Sequence, residues 1–418
     1  MSDKRGMETV ALVPPMRRLP GAWRIDLPAG AWAIVGIYAT MLIGVALAVP
    51  FPNWIDELGH FSMIRAQYDA PALFPDWSVY RMLDVADLSR WSAEPNYINH
   101  PALYYLLLAP LFALSADPLL FRLVNMAMAV GALLLMLVAV RRRFGADAVS
   151  PVWFAFAAAA FPKAAVVGGA INNDNLAMLA AAGLFAGVMG MPGAVWWLLA
   201  GLAVAGWTKL TAFVALSAVV GCWLALRLMR GEVRWGDPLI RCAGAGVVIG
   251  AAPYLVTLAR TGQVVWVHAA TWYVPPGERA ALDFPGFAAH FFRMLAHKWP
   301  AAEGAFPLWV VVGLLALMAG TAVLGARARV VRLPVLAYGF GIGVLLAVHL
   351  IFGWRSFVAL GDLTIAQARY YHVLWPGVAL GLAAGMTAAE RRWRPAPWIL
   401  ATPMAMMTLA GAALIVAL

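Results

Sequence analysis

Apolar runs of membrane-spanning length, separated by short turns that carry most of the basic charge, constrain this chain more than any other feature. A bilayer core is crossed by roughly 17–25 predominantly apolar residues in a helix. No water inside it can satisfy an exposed backbone, so such runs must close their own hydrogen bonds as helices. Of the 418 residues, 63% are hydrophobic and 12% charged, against about 45–50% apolar and about 25% charged in soluble domains. A compact soluble fold and a disordered chain are both excluded. Two cysteines, Cys222 and Cys242, rule out a disulfide framework or a Cys-rich metal site; both fall in apolar runs and read as packing residues.

The basic residues orient the chain. Five clusters hold 18 of the 30 Lys and Arg residues: Lys4, Arg5, Arg17, Arg18 and Arg24; Arg141, Arg142 and Arg143; Arg227, Arg230, Arg234 and Arg241; Arg327, Arg329 and Arg332; Arg391, Arg392 and Arg394. Short basic loops stay in the cytoplasm. The net charge of +10 therefore follows from orientation, and no nucleic-acid partner is implied. The expected architecture is an all-α polytopic membrane protein, a single integral membrane domain over 1–418, with a cytoplasmic N-terminus and about eleven spans. These are placed at 31–50, 118–140, 151–170, 175–190, 194–208, 210–229, 242–259, 306–325, 333–352, 371–389 and 397–417. The first run is a full span without a small-residue cleavage site, so no cleaved signal is expected. Segment 99–116 is long and apolar, but a crossing there would put Arg141–Arg143 outside. It is read as a helix lying in or dipping into the outer leaflet, with Tyr104 and Tyr105 at the interface.

Two large loops remain on the outer face. The first, 51–117, is expected to hold juxtamembrane helices and contains 8 of the chain's 20 acids. The second, 260–305, is rich in aromatics. Within it Phe284, Phe287, Phe291 and Leu295 recur at helical spacing behind Asp283 as N-cap, which reads as an interfacial helix. Trp266, Trp272 and Trp299 read as interface anchors rather than a sugar-stacking shelf. Gly246 and Gly250, like Gly183 and Gly187, fit close helix packing.

Asp56-Glu57-Leu58-Gly59-His60 begins just after the first span. Carboxylates so near the hydrocarbon are costly unless paired or used; the alternative is two solvated loop acids. Asn172-Asn173-Asp174-Asn175 interrupts the apolar sequence at the outer end of the third span, either as a helix cap or facing a cavity. Asp56 and Asp174 share a membrane face and are suited to acid–base work or to a shared hard cation. Lone cations lie at or near that face: Arg122, Lys163, Lys209, Arg260, Arg293, Lys298, Arg355 and Arg369. Lys163 needs an anion or a wet cavity unless it snorkels to the surface. Arg369, followed by Tyr370, suits phosphate recognition; the alternative is a lipid-headgroup anchor.

In order and spacing, these motifs resemble the GT-C glycosyltransferases, which use sugars linked to a polyprenyl phosphate and include the protein O-mannosyltransferase and aminoarabinose transferase families. The matching residues are Asp56-Glu57, the loop-ending His100-Pro101-Ala102-Leu103-Tyr104-Tyr105, Arg122, Arg141-Arg142-Arg143-Phe144-Gly145 and Asn172-Asn173-Asp174. Gly206-Trp207-Thr208-Lys209 and Gln367-Ala368-Arg369-Tyr370 complete the set. A common form of the loop-ending motif has a second proline where this chain has Ala102. The resemblance implies inverting transfer of a sugar from a polyprenyl-phosphate donor lipid to a glycan or lipid acceptor hydroxyl, on the periplasmic face of a bacterial inner membrane. Asp56 would be the general base, with Glu57 and Asp174 as accessory acids. Lys209, Arg369, Lys163, Arg122 and Tyr370 would serve the donor phosphate; His60, His100, Asn172 and Asn173 would line the substrate loop. A divalent cation, Mg or Mn, held by Asp56 and Asp174, is the one cofactor the resemblance allows. The competing readings are a transporter or flippase of lipid-linked sugars, which predicts paired broken helices and internal pseudo-symmetry, whereas the sequence shows no repeat and its acids cluster on one face rather than at the midplane, and a non-catalytic scaffold of a glycan assembly complex.

Overall fold

The computed structural model describes residues 26–52, 55–145, 148–161, 163–266, 273–300 and 303–417. The N-terminal cluster Lys4, Arg5, Arg17, Arg18 and Arg24, and Trp272, lie outside the described residues. Fifteen α-helices are described. They are α1 Ala29–Ala48, α2 Glu57–Asp69, α3 Leu103–Leu108, α4 Pro118–Phe144, α5 Pro151–Ala159, α6 Ala164–Gly168, α7 Asp174–Val188 and α8 Ala194–Gly206. There follow α9 Leu210–Met229, α10 Pro238–Thr261, α11 Phe284–His297, α12 Leu308–Ala326, α13 Arg329–Leu360, α14 Trp375–Arg392 and α15 Trp398–Ala417. Among the described residues seven helical segments are long and apolar enough to cross a membrane: α1, α4, α9, α10, α12, α13 and Ala368–Arg392. The chain is an integral membrane protein.

Local sequence sets the helix starts. A short polar residue followed by proline opens α4, α5 and α10. The Asp117 carboxylate accepts from the Leu119 N–H at 2.9 Å, and Asp237 accepts from Leu239 at 2.8 Å. Ser150 does the same for Trp153 at 3.5 Å. The side chain satisfies an orphan donor, and proline at the first helical position gives up none that the helix would use.

Two expectations are corrected. The third span is not one helix: α5 stops at Ala159 and α6 restarts at Ala164, around a sequence proline at 162 that has no N–H to continue a ladder. Segment 99–116 forms only α3 and a 3-10 turn, Ala109–Ala113, too short to cross. Its Tyr104 and Tyr105 are fully buried against protein rather than set at an interface. Besides α2 and α3, the first loop contains a two-stranded antiparallel hairpin, β1 Arg81–Leu83 with β2 Trp91–Pro95.

Helix α7 is the hub. All but one of its residues are buried, and α4 and α8 pack on it. It can be short because protein rather than lipid surrounds it. Small residues let the outer helices close in. A Cβ at Gly206 would stand 2.3 Å from the Gly250 carbonyl oxygen, and one at Gly246 would stand 2.9 Å from that of Leu199, so α8 and α10 touch backbone to backbone, as small-residue faces allow. Helix α11 is amphipathic as expected: Asp283 caps it through Gly286 N–H at 2.8 Å, Phe287 and Phe291 are buried, and Phe284 and Phe292 are exposed.

Candidate active site

Asp56 sits between α1 and α2 and is the one non-glycine residue with positive φ among the described residues, at +67°. That left-handed conformation costs an L-residue roughly 1–2 kcal/mol, and Asp and Asn bear it best because a short polar side chain can bond locally. The turn is held from outside. The Ile55 carbonyl accepts from the Asn172 amide at 2.9 Å and from Arg369 Nη1 at 3.3 Å. The Asp56 carbonyl accepts from His60 N–H at 3.0 Å, which starts α2. Strain held in place by neighbours at a half-buried carboxylate is a mark of functional sites.

The Asp56 side chain is 27% exposed. Its Oδ1 accepts from the Tyr97 hydroxyl at 3.0 Å, and its Oδ2 takes an ion pair from Arg369 Nη2. Burial pushes the carboxyl up, but the charges of Arg369 and His60, with hydrogen bonds from Arg369 and Tyr97, together outweigh it and hold the group at about 2.

Behind this pair stands a second one. Asp174 opens α7, and its Oδ1 accepts from Lys209 Nζ at 2.5 Å. Lys209 occupies the extended turn between α8 and α9, and its ammonium lies 4.7 Å from the Tyr370 ring centroid. Arg369 joins the pairs. Its Nε is 4.0 Å from Asp174 Oδ2, and neither atom has a hydrogen-bond partner. Asp174 is therefore not the cap of its helix: Asn172 Oδ1 accepts its N–H at 2.9 Å, leaving the carboxylate to the site. Arg369 is 9% exposed and turned between two carboxylates, which is not the posture of a headgroup anchor.

The remaining candidates are placed unevenly. Asn173 donates to the Thr208 carbonyl at 3.0 Å and so fixes the turn that carries Lys209. His60 Nδ1 meets the Tyr105 hydroxyl at 3.0 Å, and its ring stacks on His100 at 6.0 Å. Burial pushes His60 down to about 3 and His100 well below its ordinary value, with Lys209 adding to both, so both rings are neutral at pH 7. Lys163 is 1% exposed and paired with Glu303, whose side chain reaches solvent; the lysine is buried and met by an anion rather than snorkelling.

Glu57 and Arg122 are drawn away from the Asp56–Arg369 cluster. Arg122 Nε and Nη2 fork onto the two Glu57 oxygens at 2.8 and 2.7 Å, and Nη1 donates to the carbonyls of Ala46 and Val49. Glu57 also accepts from Ile171 N–H at 2.9 Å. The fork ties the end of α1 to α4 and to the segment leading into α7. Glu57→Gln is expected to lower stability by about 2 kcal/mol, the scale of a charge-assisted hydrogen bond, in thermal unfolding of the detergent-extracted protein. Turnover per folded molecule should change less than about tenfold. A hundredfold loss of turnover at unchanged stability would return Glu57 to the chemistry.

Sequence reasoning missed Tyr97, Asn125 and Glu303. Asn125, a single amide in the apolar α4, accepts from Tyr104 and Asn175, both at 2.9 Å; a lone polar residue in a span was the available signal. Nothing in the sequence marks Tyr97 or Glu303. Among the described residues no group of three or more His, Cys, Asp or Glu stands close enough to hold a metal ion. The partner common to Asp56 and Asp174 is the Arg369 guanidinium, so an Mg or Mn ion between them would have to displace a cation.

No protein-family profile matches this chain, and neither does any curated protein. Among solved structures it is similar to ArnT from Cupriavidus metallidurans bound to undecaprenyl phosphate, with a TM-score of 0.52 and 16% identity, over 90% of this chain and 62% of that one. The likeness is one of fold, and the chain spans less than two thirds of the length of that protein.

Proposed function

We propose that this membrane protein, which shares the fold of ArnT, is a GT-C-type glycosyltransferase that moves a sugar from a polyprenyl-phosphate-linked donor to an acceptor hydroxyl with inversion. The observation that carries the reading is the strained, half-exposed Asp56 joined through Arg369 to the buried Asp174–Lys209 pair. Fold likeness to a protein bound to undecaprenyl phosphate supports the donor class.

In this mechanism the Asp56 carboxylate takes the proton from the acceptor hydroxyl. The acceptor oxygen bonds to the anomeric carbon on the face opposite the phosphate. The carbon–oxygen bond to phosphate breaks, and its electron pair leaves with the polyprenyl phosphate. The leaving group needs no proton, only nearby positive charge; Arg369 Nε–H has no hydrogen-bond partner, and the Lys209, Lys163 and Lys298 ammonium groups all lie within the electrostatic field of Arg369. A carboxylate near 2 is fully ionised but a weak base. When donor phosphate draws Arg369 toward itself, Asp56 loses its strongest partner and its basicity rises. Donor binding thereby switches on the base.

The reading places eleven spans, with the N-terminus in the cytoplasm and the Asp56 cluster outside. In a background with Cys222 and Cys242 changed to serine, Val85→Cys and Ala280→Cys should react with a membrane-impermeant maleimide in intact cells. Gly236→Cys and Ala328→Cys should react only after permeabilisation. Labelling of Gly236→Cys from outside would overturn the orientation. The reaction itself is tested by Asp56→Asn, argued below.

A further inference from the structure

A cavity of about 270 Å³ opens between the first outer loop and the end of α10. Phe74, Asp76 and Trp77 line one side, and Tyr254, Arg260 and Trp266 the other. It is not part of the Asp56 cluster. Asn99 and Pro101 also line it, while His100 between them belongs to the other side, against His60 and within the field of Lys209, Asp174 and Asp56. Segment 99–101 is thus a shared wall. Asn99 braces it on the cavity side, accepting from Trp77 Nε1 at 2.8 Å through its carbonyl and donating to the Trp266 carbonyl through its amide.

The cavity's polar groups are what distinguish it from a lipid crevice. The Tyr254 hydroxyl and Trp266 Nε1 are buried without any hydrogen-bond partner, and Tyr254 is 8% exposed. Such orphans are costly, and a ligand that supplies their partners recovers that cost. Arg260 stands at the mouth, with Nη1 on the Phe74 carbonyl at 3.0 Å and its guanidinium 5.8 Å from the Phe74 ring centroid. Asp76 uses Oδ1 on Ser78, leaving Oδ2 as an acceptor. Four aromatic side chains with two or three donors and a carboxylate acceptor match the alternation of C–H faces and hydroxyl edges on a pyranose. The volume lies just below the roughly 300–1,000 Å³ usual for small-molecule pockets, which suits one ring rather than an oligosaccharide. We infer that the Trp77–Tyr254–Trp266 cavity is a carbohydrate-binding site that takes a single pyranose unit, with Asp76 and Arg260 reading its hydroxyls. The inference stands on the cavity alone and is independent of the transfer reaction.

The test is equilibrium binding to the full chain in an amine-oxide detergent, because the headgroup of a maltoside detergent would itself occupy such a site. Methyl glucoside, methyl galactoside, methyl mannoside, N-acetylglucosamine and glucuronate are the probes, followed by saturation-transfer NMR to about 100 mM, well above a millimolar Kd. At least one probe should bind with saturation. Tyr254→Phe and Trp266→Phe keep the aromatic walls and remove one polar atom each. Each should weaken that binding roughly threefold to tenfold while the thermal unfolding midpoint holds. Asp56→Asn should bind the probe like the wild type while losing transfer, which separates this site from the catalytic cluster. Absence of saturable binding by all five probes, or unchanged affinity in both folded variants, would overturn the inference.

Discussion

Asp56→Asn is expected to reduce sugar transfer by at least about 10²-fold and by as much as about 10⁴-fold, the range supplied by a positioned general base. The substitution is a clean probe because Asn is nearly isosteric and tolerates the left-handed backbone at +67° as well as Asp does. Its amide oxygen can still accept from Tyr97, so the turn survives, while the basic charge and the ion pair with Arg369 are lost together. Asp56→Ala would mix backbone strain with chemistry and would not separate them. The pH profile adds a signature. With Asp56 held at about 2 in the free protein, kcat/KM should stay flat as pH falls through about 4, the ordinary carboxylate value. If donor phosphate draws Arg369 away, the acid limb of kcat should move up toward that value, because kcat reports the bound state. A kcat/KM limb at about 4 would mean that Arg369 does not grip Asp56 before donor binds. Transfer by Asp56→Asn at near-normal rate would remove Asp56 as the base.

Arg369→Ala should cost transfer about 10²–10³-fold, the effect of losing one donor that stabilises developing negative charge. Two consequences oppose each other in this variant. Asp56, freed from its ion pair, becomes a stronger base. The departing phosphate loses a fork that can hold two oxygens at once. The second dominates, because base strength is of no use while the leaving group's charge is unsupported. Asp56 and Asp174 would also face each other with Lys209 as the nearest cation, and an unpaired buried charge destabilises a fold. Arg369→Lys therefore accompanies it. An ammonium restores the charge but not the planar geometry, so this variant should fold normally and lose transfer to a smaller, measurable extent in both donor affinity and turnover. Wild-type donor affinity and turnover in Arg369→Lys would reject the phosphate role.

Much of the site was legible because intramembrane polar residues are costly and stand out against an apolar background. Asp56, Asp174, Lys209 and Arg369 were all visible for that reason, as was the possibility that Lys163 needs an anion. Their partners were less so. The sequence left Asp174 divided between capping and chemistry, and only the fold shows Asn172 taking the cap. It left Arg369 divided between lipid and site, and only the fold turns it inward. It grouped Glu57 with Asp56 because they are adjacent, yet the first turn of α2 sends the two carboxylates to opposite tasks. Tyr97, from a loop without periodicity, carried no signal at all.

The sequence by itself determined the membrane class, the positions of the long apolar helices and many of their starts. Each of these follows from local rules: hydrocarbon forces every backbone bond inside its own segment, and a capping residue acts within one turn. Only the tertiary structure decided that Arg369 meets Asp56 across 313 residues, that Asp174 lies within reach of both Lys209 and Arg369, and that segment 151–170 breaks into two pieces around Lys163. Those are long-range facts. They depend on which faces of α4, α7, α8 and α9 pack together, and glycine contacts such as Gly201 of α8 against Leu184 of α7 set that packing at distances no periodicity encodes.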